Sequence, residues 1–345
     1  MKEPHVVSGR AFIGEELAFR PVDIIIERHM ITAIEDNVHA PEIWICPALF
    51  NAHTHIGDTI AMDYGIHGDL ASLVTPPHSL KSRLLAAASR EDLVEGMRST
   101  IKDMISGGIA GCADFREGGP DGVSAFREAV KGLSFCPLIF GREGGESMAD
   151  GLGISSIRDV PDAEAQITHA RRNGKMIAFH AGERDADDVD AAIASDPDFI
   201  VHATHATKKQ LRECAEQEIP IVVCPRSNWM LGVSSSAKFP PLQVMIDLGC
   251  TIFLGTDNVM FVAPDLMQEM AFVSTIYKLD PITILRSATG GSIITGSPFF
   301  ISEGARANLV VMEPDRSALR FSRDPAASLI KRAHRGWICK NVFSW

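Results

Sequence analysis

Eight short apolar runs, at residues 45–50, 109–115, 134–141, 151–157, 175–180, 199–202, 219–224 and 251–257, are spaced by stretches that mostly carry a helical period. Residues 91–106 form the clearest of these stretches. There Leu93, Met97, Ile101, Met104 and Ile105 recur near a 3.6-residue period, and Gly107-Gly108 ends the pattern. Residues 123–132, 162–173, 207–217 and 241–248 read the same way. Strand then helix, repeated eight times, predicts an α/β chain folded as a parallel (β/α)8 barrel. A chain of 345 residues, 46% of them hydrophobic, can bury a barrel of about 250 residues and still form one small domain. The two ends break the alternation. Short β-like runs at 23–27, 30–34, 307–312 and 336–342 are separated there by polar turns.

The residues that close the apolar runs narrow the chemistry. His53 and His55 follow the first run, His180 ends the fifth, His202 ends the sixth and Asp257 ends the eighth. Alternate side chains of a strand share a face, so His53 and His55 point the same way with Thr54 turned aside. A barrel gathers the carboxyl ends of its strands around one mouth, where residues far apart in sequence meet. Taken singly, each residue has a plainer reading. His-x-His pairs are common, His180 suits a satisfied core histidine, and Asp257 suits a helix N-cap. Their co-occurrence at the ends of different strands argues instead for one divalent metal held by His53, His55, His180 and Asp257. Structural zinc sites take four ligands close in sequence, often cysteines. Here the ligands are scattered, and Glu183 and His202 stand beside them, which reads as catalysis. His5, His29, His39, His169 and His334 lack such placement, and His67 and His78, in the loop after the first run, are left unassigned.

Composition excludes several partners. A formal net charge of −11 argues against a nucleic-acid or membrane surface, which would be basic. The first twenty residues hold Glu3, Arg10, Glu15 and Glu16 and no long apolar stretch, so no signal peptide is expected. No apolar run reaches transmembrane length. Seven cysteines, an odd number without close spacing, fit reduced thiols in the cytoplasm. The expected partner is a small-molecule substrate, with homo-oligomerisation left open.

Several segments carry a resemblance. Pro47-Ala-Leu-Phe-Asn-Ala-His-Thr-His55, Phe179-His-Ala-Gly-Glu183, Val201-His-Ala-Thr-His205, Cys224-Pro-Arg-Ser-Asn228 and Leu254-Gly-Thr-Asp-Asn258 resemble, in order, the motifs of the amidohydrolase superfamily. Within it they are most similar to the aminohydrolase branch, which includes cytosine, guanine and S-adenosylhomocysteine deaminases and chlorohydrolases. The likeness runs from about residue 5 to 345, and the motifs are far more specific for the superfamily than for any substrate. It implies a barrel over residues 48–297, with 1–47 and 298–345 joined as a small β-sandwich. It also implies that Glu183 shuttles a proton to a ring nitrogen and then to the leaving group. His202 would stabilise an oxyanion or help deprotonate water, and Asp257 would bind metal and accept the water proton. His205 and Asn228 would face the substrate. Members with two metals bridge them with a carboxylated lysine at the fourth strand, but no lysine lies between Lys131 and Lys175, so one metal is expected. Zinc and iron both suit the ligand set.

Arg116, Arg142 and Arg226 follow three strand ends and would surround the same mouth. Guanidinium groups bind carboxylate or phosphate bidentately, so an anionic substrate is expected, although Glu117 and Glu143 offer two of them local partners. The leading expectation is deamination of a nitrogen heterocycle. Hydrolysis of a cyclic amide or chloro substituent, or a non-enzymatic protein that kept the fold, are the alternatives.

Overall fold

A computed structural model describes residues 4–64, 68, 70–75 and 78–344. Its strands are β1 (His5–Ile13), β2 (Ala18–Glu27), β3 (Met30–Asp36), β4 (Trp44–Pro47), β5 (Leu49–His55), β6 (Ile109–Arg116), β7 (Cys136–Gly141) and β8 (Gly151–Ile154). They continue with β9 (Met176–Ala181), β10 (Phe199–His202), β11 (Ile221–Val223), β12 (Ile252–Leu254), β13 (Asp257–Asn258), β14 (Leu309–Met312) and β15 (Ile338–Val342). The nine strands from β5 to β13 form one all-parallel sheet in the order β12-β11-β10-β9-β8-β7-β6-β5-β13. The strands at its two edges, β12 and β13, are joined through Gly255-Thr256 alone, so the sheet curls round on itself as a barrel does.

Local chemistry explains that junction. A Cβ at Gly255 would lie 2.8 Å from the carbonyl oxygen of His53, so a glycine lets the chain cross close to β5. Thr256 N–H donates to the His53 carbonyl at 3.0 Å, and Asn51 Nδ2 donates to Thr256 Oγ1 at 2.7 Å. Register then pairs Asp257 with Thr54 and Asn258 with His55. The aspartate is thereby fixed beside the two histidines.

Helices clothe the sheet. After β5 come α1 (Leu70–Leu73), α2 (Leu80–Ala87) and α3 (Arg90–Ser106), and α4 (Gly119–Val130) follows β6. The periodic residues of α3 do bury Met97, Ile101 and Met104, and the Ser89 hydroxyl caps the helix by accepting from Asp92 N–H. The helix over residues 208–216 starts with a reciprocal Thr207–Gln210 capping box.

The terminal segments come together where β4 pairs with β14. They form one six-stranded sheet, ordered β15-β14-β4-β1-β2-β3. Strand alternation gives this sheet two apolar faces. Ala11, Ile45, Leu309 and Val311 join a separate apolar cluster, while their neighbours Phe12, Trp44, Cys46, Val310 and Met312 join the large core of the barrel. Side chains on one face of this sheet are thus buried against the barrel, and those on the other face form a buried cluster of their own.

Candidate metal centre

Sheet register assembles the centre from buried strand ends. Every residue of β5 is buried, and the rings of His53 and His55 lie 4.9 Å apart on one face. Thr54, turned aside, donates from Oγ1 to the Asp257 carbonyl at 3.1 Å. His53 Nε2 stands 3.3 Å from Asp257 Oδ1 and 3.1 Å from His180 Nε2, and His55 Nε2 stands 3.6 Å from the same aspartate oxygen. One donor atom each from His53, His55, His180 and Asp257 can be chosen so that all lie within 4.8 Å of one another. A second group, Glu183, His202 and Asp257, meets the same limit and shares the aspartate. His202 Nε2 is 3.6 Å from Glu183 Oε1. His202 and Asp257 both hold positive φ, 78° and 58°, a backbone state that non-glycine residues adopt at a cost and that recurs at functional sites.

The donor set fits a divalent cation. Burial lowers His53 to about 4 and His55 to about 3, and pushes His180 well below the ordinary imidazole value, so all three are neutral near pH 7. His180 Nδ1 lies 3.1 Å from the Ile154 carbonyl, and His55 Nδ1 lies 2.9 Å from Glu117 Oε1. Binding a cation through Nε2 requires the ring proton on Nδ1, where the Ile154 carbonyl and the Glu117 carboxylate stand within reach as acceptors. Inward lone pairs beside a carboxylate repel each other until a cation lies between them. Outer partners of this kind are the usual support of metal-bound imidazoles.

The cavity at this centre is lined by His55, Arg142, His180, Glu183, His202 and Asp257, with Lys81 on the same wall. Burial raises Glu183 above the ordinary carboxylate value. The remaining residues expected at the mouth lie elsewhere. Arg116 is buried, with Nη1 3.3 Å from Asp114 Oδ1 and Nη2 2.7 Å from Glu117 Oε2, and it is not among the cavity-lining residues. Arg226 is spent on Glu269, with Nε 2.6 Å from Oε2 and the backbone N–H 2.9 Å from Oε1. Asn228 donates to Thr204 Oγ1 at 2.7 Å, and His205 packs against the Phe239 ring at 5.3 Å. Only Arg142, of the three arginines, lines this cavity, because the other two found buried acids first. His78 is exposed, and His67 lies outside the described residues.

Sequence reasoning passed over four supporting side chains. Glu117 was visible as a neighbour of Arg116 but not as a partner of His55. Lys81 and Asp58 come from the segment after β5 and meet at 2.9 Å. Ser227 sits inside a quoted motif, and its hydroxyl donates to Asp257 Oδ2 at 2.6 Å. A carboxylate one residue past a strand end that bears ligands nearby was the one signal available.

Comparison with known proteins agrees with this geometry. The sequence profile of the amidohydrolase family matches residues 44–340. A protein of Methanothermobacter thermautotrophicus, provisionally named an aminohydrolase, is 32% identical over 371 residues, covering 95% of this chain and 94% of its own length. The 5-methylthioadenosine/S-adenosylhomocysteine deaminase of Halobacterium salinarum is 24% identical, covering 94% of this chain and 87% of that one. In fold, the chain is similar to a zinc-bound adenosine deaminase from Xanthomonas campestris, at TM-score 0.76 and 17% identity, covering 98% of this chain and 91% of the other. This chain belongs to the amidohydrolase family.

Proposed function

We propose that the protein is a metal-dependent aminohydrolase that deaminates a nitrogen heterocycle carrying an anionic group. The observation that carries this reading is Asp257, shared between a four-donor centre and the Glu183–His202 pair. His53, His55, His180 and Asp257 would hold one divalent ion such as zinc or iron, which when bound would supply the Lewis acidity that lowers the pKa of water from about 15.7 toward about 7–9.

The chain's own groups do the rest. Asp257, with Oδ2 hydrogen-bonded by Ser227 and Oδ1 facing His53 and His55, is the carboxylate that takes the proton of the attacking water. Glu183, raised by burial, hands its proton to the ring nitrogen, takes up the hydroxyl proton of the resulting adduct and passes it to the amino group, which leaves as ammonia as the carbonyl forms. The proton held by Asp257 then restores Glu183. His202, beside Glu183, donates to the oxygen that develops on the attacked carbon. Names of relatives favour an amino leaving group: the Halobacterium salinarum protein is a deaminase.

Arg142 supports the anionic group. Its Nη2 and the Ile154 carbonyl both approach His180 Nδ1, at 3.1 Å each. A metal-binding His180 carries its proton on Nδ1 and gives it to Ile154, so Arg142 loses that acceptor. Its Nε remains held by the Gly153 carbonyl at 3.1 Å, which aims the fork along the cavity wall. A carboxylate or phosphate is the matching acceptor. No helix among the described residues is long and apolar enough to cross a membrane, and the setting proposed is the cytoplasm.

The test is ammonia release by zinc-loaded protein across purines, pyrimidines, pterins and triazines, each with and without an anionic substituent. Release from an anionic member, lost in Glu183→Gln, is the expected result. Ring opening or dechlorination without ammonia would contradict the reading.

A further inference from the structure

A lysine rarely lies buried unless it is paired, because the ammonium loses its hydration. Lys81, in the first turn of α2, is 5% exposed. Its Nζ lies 2.9 Å from Asp58 Oδ2 and 3.0 Å from Glu117 Oε1. Glu117 Oε1 is also the oxygen 2.9 Å from His55 Nδ1. The other oxygen, Oε2, is taken by Arg116 Nη2 at 2.7 Å.

The two outer partners in the centre differ in kind. His180 is turned by the Ile154 carbonyl, a backbone group fixed by β8 itself. Beside His55 Nδ1 stands instead a carboxylate on a flexible side chain, which needs cations to hold its orientation. Arg116, the last residue of β6, directly precedes Glu117 and occupies the oxygen that His55 does not approach. Arg142 Nη1 reaches Oε1 at 3.5 Å, beyond the 3.0 Å of the lysine. Lys81 is therefore the nearest cation on the oxygen that orients His55, and it comes from a helix outside the barrel wall.

We propose that Lys81, acting through Glu117, is a positioning residue that fixes the tautomer and direction of His55, so that seating of α2 sets how tightly the centre holds its metal. This rests on the reading of His53, His55, His180 and Asp257 as a metal site. Asp58, fully buried, is the counter-charge that keeps Lys81 at this depth. Lys81 also borders the cavity, where a lysine would ordinarily be assigned to substrate. Metal affinity measured without substrate separates the two roles.

The experiment titrates Zn2+ against a chromophoric chelator in wild type, Glu117→Gln, Lys81→Arg and the double variant Lys81→Met/Asp58→Asn. Visible spectra of the Co2+-loaded proteins and thermal unfolding of the metal-free proteins accompany it. Loss of an outer-shell partner typically costs about 10–100-fold in metal affinity. A weakening in that range is expected for Glu117→Gln and for the double variant, with a changed Co2+ spectrum and substantial recovery in Lys81→Arg. Should the double variant fail to fold, Lys81→Gln removes the charge while keeping a donor between the two carboxylates. Zn2+ affinity and Co2+ spectra unchanged from wild type, in folded Glu117→Gln and folded Lys81 variants, would overturn the proposal while leaving the metal site standing. Absence of Zn2+ binding by wild type would overturn both.

Discussion

Ser227 Oγ donates a 2.6 Å hydrogen bond to Oδ2 of Asp257, which leaves Oδ1 facing His53 and His55. The serine is fully buried in the short helix Pro225–Met230, whose first residue follows the seventh barrel strand. One hydroxyl thus chooses which aspartate oxygen serves the centre.

Ser227→Ala should free Asp257 to rotate and weaken metal binding by about tenfold or more, in the range seen for outer-shell losses. Chelator competition reads this directly. A folded Ser227→Ala protein with wild-type affinity would mean that the aspartate is oriented by other contacts.

Binding and chemistry should separate at Glu183. Glu183→Gln keeps the volume and hydrogen bonding of the side chain but cannot carry the proton. Metal content and substrate affinity should hold while kcat falls by about 100-fold or more. A variant that keeps more than about a tenth of wild-type kcat would remove Glu183 from the proton path.

The arginines should divide. Arg142→Met should raise KM for the true substrate about tenfold or more, the equivalent of one charge-assisted pair of about 1.5–3 kcal/mol. Arg226→Met should act on stability instead. It strands Glu269, which is fully buried, and breaking a buried pair costs about 3–5 kcal/mol. Denaturant unfolding and steady-state kinetics on the two variants tell these effects apart. A raised KM with unchanged stability in Arg226→Met would restore that residue to the substrate.

Much of this was legible in the chain because strand period and strand order are local. The apolar run at 199–202 predicts the observed strand to the residue, and the alternation of His53, Thr54 and His55 predicts which side chains converge. The eighth strand was harder, since it breaks at Gly255-Thr256 into two pieces that pair with different neighbours. What sequence could not supply was competition for partners. Arg116 and Arg226 follow strand ends just as Arg142 does, yet Asp114, Glu117 and Glu269 claim them, and Glu269 is 43 residues away from its arginine. The same holds for Lys81, whose place beside Glu117 depends on how the segment after β5 folds over the mouth. The β character of the terminal runs is local, but their pairing into one sheet, with β4 beside β14, is set by contacts between the two ends of the chain.

Cysteine reactivity tests the packing independently. Cys46 and Cys136 are buried and raised to about 12, Cys112 and Cys224 are pushed up by burial, and Cys339 alone among the cysteines is exposed. Native protein should therefore show one readily alkylated thiol at Cys339, with the remaining six reacting only after unfolding. Fast labelling of Cys46 or Cys224 would mean that the strands bearing them are not packed as described.

Metal content is the most direct measurement of the central claim. Elemental analysis of the purified protein should find about one divalent ion per chain, as one centre of three imidazoles and a carboxylate requires. His53→Ala and Asp257→Ala should each remove it, together with turnover, while the chain still folds. Full metal occupancy in both folded variants would contradict the account, because the ion would then be held somewhere other than by these strand ends.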